Sequence, residues 1–410
     1  MTALPFSKLP VGASSSSISP FTISFPDSDL KHLQDLLKLT PVPPPSYENS
    51  LPGSQRRFGI RRDWLIEAKT QWETDFDWRK VESKLNSFPQ YKAKVKDKLG
   101  EFDVHFIALF SEKADAIPLF LFHGWPGSFL EFIGILTLLK ERYTPATLPY
   151  HIIVPSLPGF ALTKFPGDPL TDFDNPDAGR VFNTLATELL GFKSYIVQGG
   201  DIGARVARAM GTDYAACKAV HLNFCGSMPP PDSGKIKDED VSDAEREGLK
   251  RAEDWLATGR AYALEHATRP ATIGIVLSSS PIALLAWVGE KFLDWTDKDP
   301  SIQTILEAVT LYWLTRCAHT NLWAYRQALG QSARTVGNPS SYIHKPFGYS
   351  YFPRELMPIP IAWVRTTGDL VHVNVHTSGG HFAALEEPAT LWADVEDFIK
   401  ALFVPHAVTF

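Results

Sequence analysis

At 410 residues, 44% of them hydrophobic and 21% charged, the chain suits a large core with one or two additions, and its composition excludes wholesale disorder. A net charge of −6 and a pI near 6.1 provide no basic field, so neither nucleic acid nor anionic lipid is expected as a partner. Three scattered cysteines (Cys217, Cys225, Cys317) are too few for a disulfide framework or a cysteine-based zinc site, and a reducing, cytoplasmic setting is expected.

The opening segment MTALPFSKLPVGASSSS lacks the basic start and apolar run of a secretion signal, and up to Ser19 it reads as a loosely draped end. From Pro20 to about Leu99 the pattern is helical and aromatic-rich, with DLKHLQDLLKL and WLIEAKTQWETDFDWRKVESKLNSF on either side of the break VPPP. Residues 1–103 are therefore expected to form an N-terminal helical module that wraps something larger.

Short apolar runs then alternate with helical stretches: VHFIALF, IPLFLFHG, YHIIVPSLPG, SYIVQGG and AVHLNF. That rhythm predicts an α/β fold with a mostly parallel central sheet, its first part over 104–227. At Met228 the Pro-rich MPPPDSG leads into amphipathic helices, so 228–334 is expected as a helical lid over an active site. The apolar stretch from Ala271 to Gly289 is interrupted by Ser278, Ser279, Ser280 and Pro281, which favours buried helices over a bilayer span. Sheet-like runs return near PFGYSYF and VHVNVH, and 335–410 completes the core.

Chemistry concentrates in three turns. In YIVQGGDIGARVARAMG an apolar strand ends on two glycines, Asp201 follows, and Ile202-Gly203 opens a helix. This is a strand–turn–helix elbow with an acid where a serine usually stands. The helix N-terminus would keep Asp201 ionised, and an ionised carboxylate can attack an electrophilic carbon. A helix cap is the competing explanation of an Asp in that place. In LFLFHGWPGSFLEF a strand ends before Trp125, whose N–H could share an oxyanion with that of Ile202; one such donor is worth about 2.7–4 kcal/mol of barrier. In VHVNVHTSGGHFAALEEP, His381 follows the last strand, where the chain order nucleophile, acid, histidine places the base. Two carboxylates compete to orient it: Glu355, just after a strand, is preferred, while Asp369 falls at the amino edge of the last strand, opposite the edge where such sites are built.

These motifs resemble the microsomal-type epoxide hydrolases, which include soluble fungal members, over nearly the whole chain after the first twenty residues. PFTISFPDSDLKHLQDLL, HGWPGSFLEF, PSLPGF, QGGDIGARVAR and GGHFAALEEP carry the resemblance. It implies an α/β-hydrolase fold with Asp201 as nucleophile, His381 as base, Glu355 as charge-relay acid, and two lid tyrosines, Tyr262 and Tyr325, donating to the epoxide oxygen. It also implies a covalent hydroxyalkyl ester, a small-molecule epoxide substrate, no cofactor, no metal and a possible homodimer. Ser279, Ile282 and Ala283 depart from the family's lid pattern, which bears on pocket shape. The aromatic wealth around Trp125, Trp287, Trp313 and Trp323 favours a lipophilic or aryl epoxide. Two alternatives stay open: a haloalkane dehalogenase-like enzyme, disfavoured because Ile202 and not a Trp follows Asp201, and a silent ligand-binding protein on the same fold.

Overall fold

The computed structural model describes residues 4–53, 55–166, 172–226, 236–329 and 339–402. Nine strands form one sheet in the order β1-β2-β3-β5-β4-β6-β7-β8-β9. They are β1 (Ile18–Phe21), β2 (Gln90–Asp97), β3 (Gly100–Leu109), β4 (Ile117–Phe122), β5 (Tyr150–Pro155), β6 (Tyr195–Gly199), β7 (Cys217–Leu222), β8 (Ile343–Tyr351) and β9 (Gly368–Val375). The strands from β5 to β9 in that order pair in parallel, and β1, β2 and β3 extend the β5 edge antiparallel. The inner parallel strands are buried on both faces, as YHIIVP in β5 shows, because helices cover both sides.

The N-terminal region departs from the helical expectation. It does carry α1 (Asp27–Leu39), α2 (Arg62–Thr74) and α3 (Trp78–Leu85), but β1 and β2 join the central sheet, and β3 crosses the expected 103/104 junction. Nor is the first segment loosely draped. Phe6 is 4% exposed, its carbonyl accepts from the Phe110 N–H, and Ser14 donates its N–H to the Leu189 carbonyl at 2.7 Å. These anchors order a stretch whose apolar residues are too sparse to show a period.

Between the core strands run α4 (Ile133–Arg142), α5 (Asn175–Thr184) and α6 (Asp201–Asp213). After β7 come the helices α7 (Asp243–Thr258), α8 (Ala261–Thr268), α9 (Pro270–Ser279), α10 (Pro281–Trp295) and α11 (Ile302–Thr315), before the chain returns at β8. The MPPPDSG turn and both expected lid boundaries, 228 and 334, lie outside the described residues. The stretch Ala271 to Gly289 is divided between α9 and α10, bent by 115°, and no single helix among the described residues is long and apolar enough to cross a membrane. Tyr312 on α11 and two residues that follow it seat this insertion on the core: Tyr312 Oη donates to the Gly127 carbonyl (2.6 Å), Thr320 Oγ1 to that of Gly159 (2.6 Å), and Trp323 Nε1 to that of Pro158 (2.8 Å). Arg208, buried on α6, donates to the carbonyls of Ser341 and Thr367, tying the returning chain to the elbow helix. The remaining helices, α12 (Ile361–Val364), α13 (Ala383–Glu386) and α14 (Pro388–Leu402), close the core.

Candidate active site

Asp201 stands at the carboxyl end of β6 as the first residue of α6, with φ = +46°. A non-glycine residue in the left-handed region stores backbone strain, which points to a functional constraint at this turn. Two glycines make room for the elbow. A Cβ on Gly124 would lie 2.1 Å from Asp201 Oδ1, and one on Gly203 would lie 2.3 Å from the Phe122 carbonyl oxygen, so α6 and the carboxylate sit closer to β4 than any side chain permits.

The two oxygens of Asp201 have different surroundings. Oδ1 accepts the Trp125 N–H at 2.8 Å, and the Ile202 N–H adds to the stabilisation of the anion. Oδ2 faces His381 Nε2 at 3.5 Å. Burial alone would raise the Asp201 carboxyl, but His381 and these two N–H groups outweigh it and hold the carboxyl below its ordinary value.

His381, 4% exposed, follows β9 and is gripped by its backbone and by rings. Its N–H donates to the Trp295 carbonyl at 3.0 Å, and Trp295, Phe382 and Phe224 stand edge-on to the imidazole at 5.1, 5.1 and 5.8 Å between centroids. Its Nδ1 is 2.6 Å from Glu355 Oε1, in the loop after β8. Asp369 lies elsewhere: it is exposed at the start of β9 and accepts from Tyr342 Oη at 2.9 Å. Burial would depress the imidazole, but Glu355 and Asp201 together raise it well above its ordinary value. Both carboxylates thus favour the protonated imidazole, and neutralising Asp201 would remove one of the two charges that do so. We predict that in Asp201→Asn the His381 imidazole titrates at lower pH than in the wild type, followed by its ring-carbon NMR shift; an unchanged midpoint would dismiss the coupling.

Tyr262 on α8 and Tyr325 in the short helix Trp323–Leu329 reach the same place from the lid. Trp125 stacks on Tyr262 (5.2 Å, 12°) and meets Tyr325 edge-on (5.7 Å, 89°), so the residue that supplies an N–H to Asp201 also seats both phenols. Burial pushes both phenols up, and the Asp201 charge adds to the effect. The structure thus brings together Asp201, Ile202, Trp125, His381, Glu355, Tyr262 and Tyr325.

One member of the cluster was not singled out from sequence. Glu131, within HGWPGSFLEF, lines a cavity of about 10 Å³ together with Trp125, Asp201, Asn223 and His381, about the space one water needs. Its Oε1 is shut from solvent without a partner, and burial pushes the carboxyl up to about 8. His123, by contrast, is structural: Nε2 accepts the Leu157 N–H at 3.1 Å, so Nδ1 carries the hydrogen it gives to the Gly124 carbonyl.

Comparison with known proteins agrees with this architecture. The family described as "Epoxide hydrolase N terminus" matches residues 18–132, and "alpha/beta hydrolase fold" matches residues 117–241. The structure of Aspergillus niger epoxide hydrolase is 48% identical, with a TM-score of 0.90 over 97% of this chain and 100% of that one. Juvenile hormone epoxide hydrolase from the silkworm Bombyx mori is 26% identical, with a TM-score of 0.80 over 94% of this chain and 95% of its own. Epoxide hydrolase 1 of Oryctolagus cuniculus is 30% identical over 95% of this chain and 90% of its own length. Sequence and fold agree along almost the entire length, and the chain belongs to the epoxide hydrolase family, built on the α/β-hydrolase fold.

Proposed function

We propose that this enzyme opens epoxides to vicinal diols through an ester on Asp201. The observation that carries the mechanism is the unequal footing of the two carboxylate oxygens. Oδ1 is held by the N–H of Trp125, whereas Oδ2 faces His381. Oδ2 attacks a ring carbon, the ring C–O bond breaks, and the phenols of Tyr262 and Tyr325 stabilise the alkoxide that forms. Ring strain supplies the electrophile, so the step calls for no cofactor.

Esterification neutralises Asp201, and His381 becomes a base in the step that needs one. A water in the small cavity gives one proton to Nε2 and attacks Cγ, while the unpartnered Oε1 of Glu131 accepts a hydrogen bond from its other hydrogen and so orients it. Glu355 steadies the imidazolium through Nδ1. Negative charge grows on Oδ1, already held by the N–H of Trp125, with the Ile202 N–H also favouring the anion, and collapse expels Oδ2 with the diol. The aromatic walls around His381 and the phenols support a lipophilic or aryl epoxide.

A single turnover in ¹⁸O-water tests this path. The heavy oxygen should appear on Asp201 and the first diol should carry none, because its new oxygen comes from Oδ2. Label in the first-turnover diol would mean direct attack of water on the epoxide and would sink the ester route.

A further inference from the structure

Lys291, on α10, is 4% exposed, yet its ammonium is not placed among carboxylates alone. It lies 4.7 Å from the centroid of the Tyr262 ring and 5.5 Å from that of Trp287, both within cation–π range. Its ammonium pairs with the neighbouring Glu290, which is partly open to solvent. The next acid on the helix, Asp294, is engaged by Arg56 at 3.1 Å. His266 also borders the cluster. It accepts Trp287 Nε1 at 3.0 Å, and burial with Lys291 nearby pushes its imidazole down to about 3, so it brings no competing charge. A buried ammonium is costly where an apolar side chain of similar length would fit, so its placement over this particular ring calls for a reason.

The chemistry of Tyr262 provides one. When the phenol moves its proton toward the epoxide oxygen, negative charge spreads into the ring, and a cation over that ring attracts the charged form more than the neutral one. An interaction that grows along the reaction coordinate lowers a barrier, where one that is constant does not. We propose that Lys291 is a positioning residue that acts through Tyr262, stabilising the charge its ring acquires as the epoxide opens. This rests on the assignment of Tyr262 as donor made above. In the step concerned, Asp201 Oδ2 bonds to carbon, the ring C–O bond breaks, and the phenol proton passes to the new alkoxide. Ester hydrolysis then balances the account: one hydrogen of water goes by way of His381 to the departing oxygen, and the other, left on the Asp201 acid, returns to the phenolate.

Rapid-quench kinetics with a styrene-oxide-type substrate separates ester formation from ester hydrolysis. Lys291→Met should slow ester formation about tenfold and leave hydrolysis within about twofold, with Lys291→Arg falling between Met and wild type. The deciding measurement is the double-mutant cycle: added to Tyr262→Phe, Lys291→Met should cost less than about twofold, since the charge it stabilises is gone. An equal penalty in both backgrounds, or parallel slowing of both steps, would show a merely structural lysine and overturn the proposal. Ester formation at the wild-type rate in Tyr262→Phe alone would instead overturn the role of the tyrosine, and the proposal with it.

Discussion

His381→Ala is expected to stall as a covalent ester, gaining the mass of one substrate on Asp201 while diol turnover falls by about 10²–10⁴-fold or more. The asymmetry follows from geometry. Ring opening needs Oδ2 of Asp201 and donors on the lid side, none of which His381 supplies, whereas hydrolysis needs a proton acceptor beside the water cavity, where Nε2 stands 3.5 Å from Oδ2. Peptide mass spectrometry locates the adduct, and a diol assay on the wild type runs beside it. An adduct on another residue, or a variant that turns over at the wild-type rate, would refute the division of roles.

Replacing both Tyr262 and Tyr325 by Phe is expected to cut ester formation by about 10²–10³-fold or more, the scale for loss of buried donors to a developing oxyanion. Either single change should cost less, because the remaining phenol still reaches the oxygen. Phe preserves the stacking of ring 262 on Trp125 and the edge contact of ring 325, so the pocket keeps its shape and the loss reports the hydroxyls. Single-turnover measurement of the adduct is the appropriate readout, and a double variant that forms ester at the wild-type rate would remove the tyrosines from the mechanism.

The parts most legible in the sequence were those where a local signal and the tertiary arrangement coincide. An apolar run ending in Gly-Gly-Asp-Ile-Gly is a strand, a turn and a helix start wherever it is placed, and β6 and α6 form there. The choice of Glu355 over Asp369 followed from strand direction, and Glu355 is the carboxylate that reaches His381. What stayed hidden is set by packing at a distance. β2 is QYKAKVKD, whose half-exposed alternation with lysines follows directly on α3 and was absorbed into the helical region, and β1 is four residues with a proline. Glu131 and Lys291 are charged residues on helical turns, which sequence alone assigns to solvent. Glu131 is enclosed beside the elbow, and the Lys291 ammonium lies against the rings of Tyr262 and Trp287.

The placement of the lid between β7 and β8 has a consequence for how such an enzyme can diversify. The residues assigned to ester hydrolysis, namely Asp201, His381, Glu355 and Glu131, all belong to the sheet core, whereas the phenols assigned to the epoxide belong to the inserted helices. Selection can therefore revise which epoxides are accepted by exchanging inserted segments without disturbing the half-reaction assigned to the core. On this assignment, breadth of substrate and constancy of turnover are carried by different stretches of one chain.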